Sequence, residues 1–237
     1  MSTYILVHGA WHGAWCWEKV VPLLRRAGHQ VITFDLPGHG QDKTPVAEVV
    51  LDLYVQRTSE VLATQREPVI LVGHSMGGIV LSETAERYPA KIEKLIYLAA
   101  FLLQDGHSQG EIAQNDKDTL LVPNVVFDES GTSLTLPPEK LKEILYDDCS
   151  DEDIAWAKRH LVPQAIKPLT TSIHVTAENF DRIPRVYIEC LQDKAISPAC
   201  QRQMYTAWPC QKVFTLQTSH SPFFSAPEQL SRLLLSA

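Results

Sequence analysis

The sequence predicts an α/β fold, in which a mostly parallel sheet of about six strands carries helices on both faces. Two observations lead to this class. Short apolar runs alternate with helical patterns over residues 1–100, and the same alternation returns over residues 182–237. Strands that are separated by helices pair in parallel through crossover connections. The second observation is that the strand runs are mainly apolar, and a parallel sheet of this kind is covered by helices on both faces.

A local pattern indicates each element of this fold. The predicted strands are short runs of apolar residues bounded by turn residues, and they cover residues 4–7, 30–34, 68–72, 92–99, 185–190 and 212–216. The predicted helices place apolar residues three and four positions apart, and they cover residues 18–27, 46–63, 78–88 and 197–207. A last helix is predicted to begin at a capping box formed by Ser225 and Glu228, with Leu230, Leu233 and Leu234 facing inward.

Residues 101–181, called the inserted segment below, break the alternation. They are rich in Asp, Glu, Ser and Pro, and they contain a turn sequence at residues 128–131. Helical patterns occur near residues 139–146 and 151–160. Because a compact domain rarely holds so long a loop, we interpret the segment as a helical cap, or lid, over the carboxyl edge of the sheet. A second independent domain is disfavoured because the segment has few strong apolar periods, so we expect one domain overall.

Composition and charge restrict the classes of function. The chain has 237 residues, 45% of them hydrophobic and 21% charged, as expected for a soluble globular protein. A formal net charge of −7, without any basic stretch, argues against nucleic-acid binding. The longest uncharged apolar run, residues 95–103, covers about half of a membrane span, and no secretory signal is visible. Five cysteines without a C-x-x-C pair indicate reduced thiols, so we expect a cytoplasmic protein.

The pentapeptide Gly-His-Ser-Met-Gly at residues 73–77 has the form G-x-S-x-G and places Ser75 at its centre. Such a motif alone arises by chance, but here an apolar strand precedes it and a helical pattern follows it. This context predicts a nucleophile elbow, in which small neighbours let the serine adopt a strained turn. A cysteine nucleophile is disfavoured because no cysteine lies on a strand-to-helix turn.

A serine nucleophile needs a base and an acid, which follow it in the order Ser, Asp or Glu, His in this type of fold. Of nine histidines, only His220 lies in the loop between the last strand and the last helix, so it is the predicted base. Asp193 follows the strand at residues 185–190 and is the favoured acid. Asp105, after the strand at residues 92–99, is the alternative. The alternative without a catalytic role is that Asp193 is an ordinary aspartate in a turn before a helix.

Acyl transfer also needs hydrogen-bond donors for the negative charge that develops on the carbonyl oxygen. The expected donors are the backbone N–H of Met76, directly after the nucleophile, and that of Ala10 in the loop after the first strand. We expect Trp11, Phe101 and Leu102 to line the substrate pocket. For Trp11, packing in the core is an equally good interpretation.

Three stretches now make a family resemblance visible. They are Val-His-Gly-Ala-x-His-Gly-Ala-Trp at residues 7–15, Val-Gly-His-Ser-Met-Gly-Gly at 72–78, and Val-Tyr-Ile-x-Cys-x-x-Asp-Lys-Ala-Ile at 186–196. The sequence resembles the α/β-hydrolases of the plant methylesterase and hydroxynitrile lyase family, which includes salicylate-binding esterases. The resemblance is weakest in the inserted segment. It implies a triad of Ser75, His220 and Asp193, an oxyanion hole from Ala10 and Met76, an apolar pocket under the cap, and often a homodimer.

Two positions favour hydrolysis over cyanohydrin cleavage within this family. One type of lyase in this family has Thr at the position of Ala10 together with Lys at that of Ser221, and a second type has Asn at the position of Ala10. This chain has neither pattern. The loop Leu-Pro-Gly-His-Gly at residues 36–40 is typical of bacterial hydrolases and suggests a bacterial member. We therefore expect a carboxylesterase that acts on small apolar or aromatic esters without a metal or organic cofactor. A hydroxynitrile lyase and a catalytically quiet ligand-binding protein are the alternatives.

Overall fold

The computed structural model describes all 237 residues and contains nine strands and ten α-helices. The strands are β1 Thr3–Val7, β2 Gln30–Thr33, β3 Val69–His74, β4 Ile92–Leu98, β5 Val126–Phe127, β6 Ser133–Thr135, β7 Gln164–Ala165, β8 Arg185–Cys190 and β9 Lys212–Leu216. The helices are α1 Val21–Arg26, α2 Leu51–Ala63, α3 Gly77–Arg87, α4 Gln109–Asn115, α5 Leu141–Leu145, α6 Asp151–His160, α7 Ile166–Thr170, α8 Pro198–Ala207, α9 Pro222–Ser225 and α10 Pro227–Ser236.

Six strands form one parallel sheet in the order β2-β1-β3-β4-β8-β9, which agrees with the predicted class and with all six predicted strands. In its centre, Val7 at the end of β1 pairs with Gly73 of β3. The loop after β1 and the turn after β3 therefore leave the sheet side by side. Since all six strands of this sheet are parallel, the loops after β8 and β9 lie at the same edge as the loops after β1 and β3.

The inserted segment contains more than the two predicted helices. Helices α5 and α6 are present where their spacing predicted them, and α6 is capped by Ser150, whose side chain accepts from the Asp153 amide. Helices α4 and α7 and an antiparallel sheet in the order β5-β6-β7 were not predicted. Strands of two or three residues are too short to show a period in the sequence. The cap is thus mixed rather than purely helical, and its action as a lid stays a prediction.

The inserted segment and the sheet share one hydrophobic core. A single cluster of 65 buried residues joins the strands of the sheet to side chains of the inserted segment, among them Leu141, Ile144 and Ile154. These three side chains are at most 6% exposed. The segment therefore depends on the rest of the chain for its apolar contacts.

Three predicted helix starts are wrong. Helix α1 begins at Val21 and not at residue 18, after a 3-10 helix at Ala14–Trp17. Helix α2 begins at Leu51 and not at residue 46, because Val49 is extended and buried, and a short 3-10 helix, Val46–Glu48, precedes it. The capping box at Ser225 does not form. Ser225 ends helix α9, and α10 begins at Pro227 without a side-chain cap. The burial of Phe223 and Phe224 fixes the chain there, and proline is itself well suited to the first helical turn.

The inward face of α10 is as predicted, since Leu230 and Leu234 are fully buried and Leu233 packs against the core. The five cysteines are all free thiols. None of the helices combines the length and apolarity that crossing a membrane would require.

Candidate active site

Ser75 lies in the turn between β3 and α3, with a φ of 53°. This left-handed conformation is strained for a residue with a side chain. Three backbone hydrogen bonds hold it: the Ser75 amide donates to Leu98 O at 3.2 Å, and Ser75 O accepts from the amides of Gly78 at 3.0 Å and Phe101 at 3.1 Å. The neighbouring glycines are sterically required. A Cβ on Gly73 would lie 2.9 Å from Gly77 O, and one on Gly77 would lie 3.0 Å from Val7 O.

His220 lies in the loop between β9 and α9, as predicted. Its Nδ1 donates to Asp193 Oδ2 at 2.7 Å, and both side chains are almost fully buried. Its carbonyl oxygen accepts a hydrogen bond from His74 Nε2 at 2.8 Å, and the two imidazole rings are 4.6 Å apart. The loop is thus attached to the residue that precedes Ser75. With Nδ1 bound to Asp193, Nε2 is the ring nitrogen that can accept a proton. No direct hydrogen bond joins it to Ser75 Oγ, and such contacts often tighten only when substrate binds.

Asp193 is held from two sides. Its Oδ1 accepts from the backbone amides of Ala195 and Ile196 at 2.7 and 2.9 Å, while Oδ2 accepts from His220 and from Gln201 Nε2 at 3.2 Å. Gln201 was not predicted, because one glutamine on a helix carries no signal in the sequence. Its own Oε1 accepts from the Cys190 amide, which fixes its orientation.

Asp105, the alternative acid, lies elsewhere. Its side chain is about half exposed, and its Oδ1 accepts from His174 Nδ1 at 2.9 Å and from the Val175 amide at 3.0 Å. The structure therefore brings Asp193, and not Asp105, to His220.

The loop after β1 packs directly on the nucleophile elbow. A Cβ on Gly9 would lie 2.8 Å from both Ser75 Cβ and His74 Nδ1, so only glycine allows this approach. Next to it, the backbone amides of Ala10 and Met76 donate no hydrogen bond within the protein, although both residues are buried. Buried amides are nearly always paired. Two unpaired amides beside a serine can bind an oxyanion.

His12 and Tyr146 support this loop. His12 Nδ1 donates to Ala10 O at 2.7 Å, and His12 Nε2 accepts from Tyr146 Oη at 2.7 Å. Burial lowers the pKa of His12 to about 3, so the ring is neutral and can both donate and accept. In the sequence His12 was only a histidine near the site. Its partner Tyr146 is 134 positions away, and no local pattern connects the two.

A cavity of about 180 Å³ opens at Ser75, and its walls are mostly apolar. Ala10 and Trp11 lie at the same end as Ser75, and the remaining lining residues all come from the inserted segment. Trp11 is 6% exposed, belongs to the core cluster, and donates from Nε1 to Leu134 O at 2.9 Å. Trp11 therefore lies both in the wall of the cavity and in the hydrophobic core.

Phe101 and Leu102 lie outside this cavity. Phe101 is buried, and its backbone packs against Gly78, where an added Cβ would lie 2.3 Å from the Phe101 oxygen. Leu102 lines a separate depression with Met204 of α8. Phe101 thus contacts the turn of Ser75 through its backbone, whose amide donates to Ser75 O, and not through a cavity wall.

Comparisons with known proteins show the family of the chain. The model of the alpha/beta hydrolase family matches residues 4–233. The chain is 34% identical to salicylic acid-binding protein 2 of Nicotiana tabacum, over 98% of this chain and 95% of that protein. It is 33% identical to putative methylesterase 11, chloroplastic, of Arabidopsis thaliana, of which it spans 63%.

Among solved structures, the methylesterase protein MES16 from Arabidopsis superposes with a TM-score of 0.87 at 30% identity, covering 100% of this chain and 98% of the other. The family model thus spans nearly the whole chain, including the nucleophile elbow and the loops that carry His220 and Asp193. The protein belongs to the alpha/beta hydrolase family.

Proposed function

We propose that the protein is a serine carboxylic-ester hydrolase that acts on small, mainly apolar or aromatic esters through an acyl-enzyme on Ser75. The observation that carries the proposal is the position of His220. Its Nδ1 is bound to the buried Asp193, while its loop is bonded to His74, the residue before Ser75. The unpaired amides of Ala10 and Met76 and the apolar cavity add to this support. So do the relatives named as methylesterases.

The mechanism follows from these positions. Ser75 Oγ attacks the ester carbonyl carbon while His220 Nε2 takes its proton, and Asp193 stabilises the resulting imidazolium. The amides of Ala10 and Met76 bind the oxyanion of the tetrahedral intermediate. Collapse of this intermediate expels the alcohol, which receives the proton from His220. Water, deprotonated by His220, then attacks the acyl-enzyme; the bond to Ser75 Oγ breaks, His220 returns the proton to Oγ, and the carboxylic acid is released.

Replacement of Ser75 by alanine tests the proposal. We expect Ser75→Ala to lower kcat/KM for p-nitrophenyl butyrate by at least about a thousandfold, because the nucleophile is lost. Ser59→Ala, at an exposed serine of α2, is the matched control and should keep the wild-type rate. A serine-directed fluorophosphonate should add one mass adduct to the wild-type protein and none to Ser75→Ala. Undiminished hydrolysis by Ser75→Ala would exclude the mechanism, and cleavage of mandelonitrile without ester cleavage would favour the lyase.

Two expectations from the sequence stay predictions. These are a cytoplasmic location and the homodimer that the family resemblance implies. Light scattering of the purified protein measures whether it forms the homodimer.

A further inference from the structure

Asp148 lies in the turn between α5 and α6, in the inserted segment, and binds the loop that carries His220. The Ser219 amide donates to Asp148 Oδ2 at 3.0 Å, and Ser219 Oγ donates to Asp148 Oδ1. Ser219 directly precedes His220 and is 1% exposed. A carboxylate of the inserted segment thus binds both the main chain and the side chain of the residue before the proposed base.

The backbone of His220 is held on both sides by residues outside the triad. Before it, the Ser219 amide is bonded to Asp148, and after it, His74 Nε2 donates to His220 O at 2.8 Å. Asp193 holds the imidazole ring itself. Of these three contacts, only that of Asp148 comes from the inserted segment.

The position of this backbone matters because the ring has to reach the nucleophile. Asp193 fixes the Nδ1 side of His220, but where Nε2 lies also depends on the Cα from which the side chain extends. A displacement of about 1 Å in a catalytic group can lower the rate by about a hundredfold. A contact that fixes the loop therefore affects the proton transfer without touching the reacting atoms.

The neighbouring acidic residue, Asp147, makes a contact of a different kind. It pairs with Lys194 at 2.8 Å, and both side chains are exposed. Such an ion pair is screened by water and holds its partners weakly. Asp148 is itself exposed, but it binds a buried residue through two hydrogen bonds. The two adjacent carboxylates therefore form a matched pair, of which only one fixes the His220 loop.

We propose that Asp148 is a positioning residue that fixes the backbone before His220, so that Nε2 lies within reach of Ser75 Oγ. The inference rests on the proposed function, because it assigns a role in the same reaction. Asp148 does not line the cavity at Ser75. Its loss therefore affects kcat and leaves KM unchanged.

Asp148→Ala removes both acceptors of Ser219. We expect it to lower kcat for p-nitrophenyl butyrate about tenfold at unchanged KM, and to slow the reaction with a serine-directed fluorophosphonate by a similar factor. Because the site is exposed, water can bind the freed Ser219 amide, but water does not hold the loop in place. The melting temperature should therefore fall by no more than about 4 °C.

Two further single variants separate positioning from charge. In Asp148→Asn, the oxygen accepts from the Ser219 amide and the NH₂ group donates to Ser219 Oγ, since a hydroxyl also accepts. This variant should keep kcat within about twofold of the wild type. Asp147→Ala removes the same charge from the next position and is the matched control, with wild-type kcat and KM.

The double variant shows whether Asp148 acts through Ser219. Ser219→Ala removes one of the two hydrogen bonds and should lower kcat about threefold. Combined with Asp148→Ala, it should lower kcat no further than Asp148→Ala alone, because both changes remove the same contact. Additive losses in the double variant would overturn the inference.

The remaining outcomes are equally decisive. Wild-type kcat in Asp148→Ala, a tenfold loss in Asp148→Asn, or an equal loss in Asp147→Ala would overturn the inference while the proposed function stands. If Asp148→Ala does not fold, Ser219→Ala decides, and wild-type kcat in that variant would overturn the inference. A wild-type protein that neither cleaves p-nitrophenyl butyrate nor reacts with the fluorophosphonate would overturn the proposed function, and this inference with it.

Discussion

Asp193→Asn isolates the role of the buried acid, because the structure fixes how an asparagine would orient there. The oxygen at the Oδ1 position accepts from two backbone amides, those of Ala195 and Ile196, so the side-chain oxygen of the asparagine must stay on that side. Its NH₂ group then faces His220 Nδ1 and Gln201 Nε2. An NH₂ donor can pair with His220 only if Nδ1 carries no proton. The proton then resides on Nε2, which cannot accept the proton of Ser75.

The expected loss of activity follows from this wrong tautomer of His220. In a triad of this type, exchange of the acid for its amide lowers kcat by roughly 10⁴ while the geometry is kept. In the variant, Gln201 Nε2 faces the NH₂ group of the asparagine, so this buried donor is left without an acceptor. Such an unsatisfied buried group costs about 1–3 kcal/mol of folding stability. At about 2–4 °C per kcal/mol for a chain of this size, the melting temperature should fall by roughly 2–12 °C.

The assay compares Asp193→Asn with Asp105→Asn, in hydrolysis of p-nitrophenyl butyrate and in thermal unfolding. Asp105 is about half exposed and bonds only to the inserted segment, so its variant should keep the wild-type kcat. The assignment of Asp193 as the acid would be refuted if folded Asp193→Asn kept more than about a tenth of the wild-type activity. It would also be refuted if Asp105→Asn lost as much activity as Asp193→Asn.

Two further predictions concern the contact between His12 and Tyr146 and the buried histidines. Tyr146→Phe removes the donor to His12 Nε2 and should lower kcat about tenfold at unchanged KM, less than the hundredfold or more that loss of an oxyanion donor costs. Steady-state kinetics beside Tyr88→Phe, at an exposed tyrosine, checks this, and a matching loss in the control would contradict it. The second prediction is a decline in stability with falling pH. Burial lowers the pKa of His12 to about 3, and the pKa of His8, His39 and His74 is lowered in the same direction. The unfolded chain then binds more protons, so the stability is fully present above about pH 6.5 and is lost as the pH falls. The melting temperature should drop between pH 6.5 and pH 4.5, and a level curve there would contradict the burial of neutral imidazoles.

The sequence alone determined the sheet and the turn that carries Ser75. The strands are mainly apolar runs, and the G-x-S-x-G turn is formed by five consecutive residues, so both leave a local signal. His220 followed from chain order, because the last loop of such a sheet must return to the edge where Ser75 lies. Ala10 and Met76 were predicted from their positions beside the first strand and the nucleophile. Neither amide donates a hydrogen bond within the protein, and their role as oxyanion donors stays a prediction.

Only the tertiary structure shows that Asp193, and not Asp105, contacts His220, since both aspartates follow a strand at the same edge and differ in what surrounds them. Likewise, Tyr146 meets His12 and Asp148 meets Ser219 through the packing of the inserted segment, whose short strands carry no period. The start of α10 was decided by the burial of Phe223 and Phe224 and not by the capping box at Ser225. Contacts between distant positions are fixed by burial and packing, which local patterns do not encode.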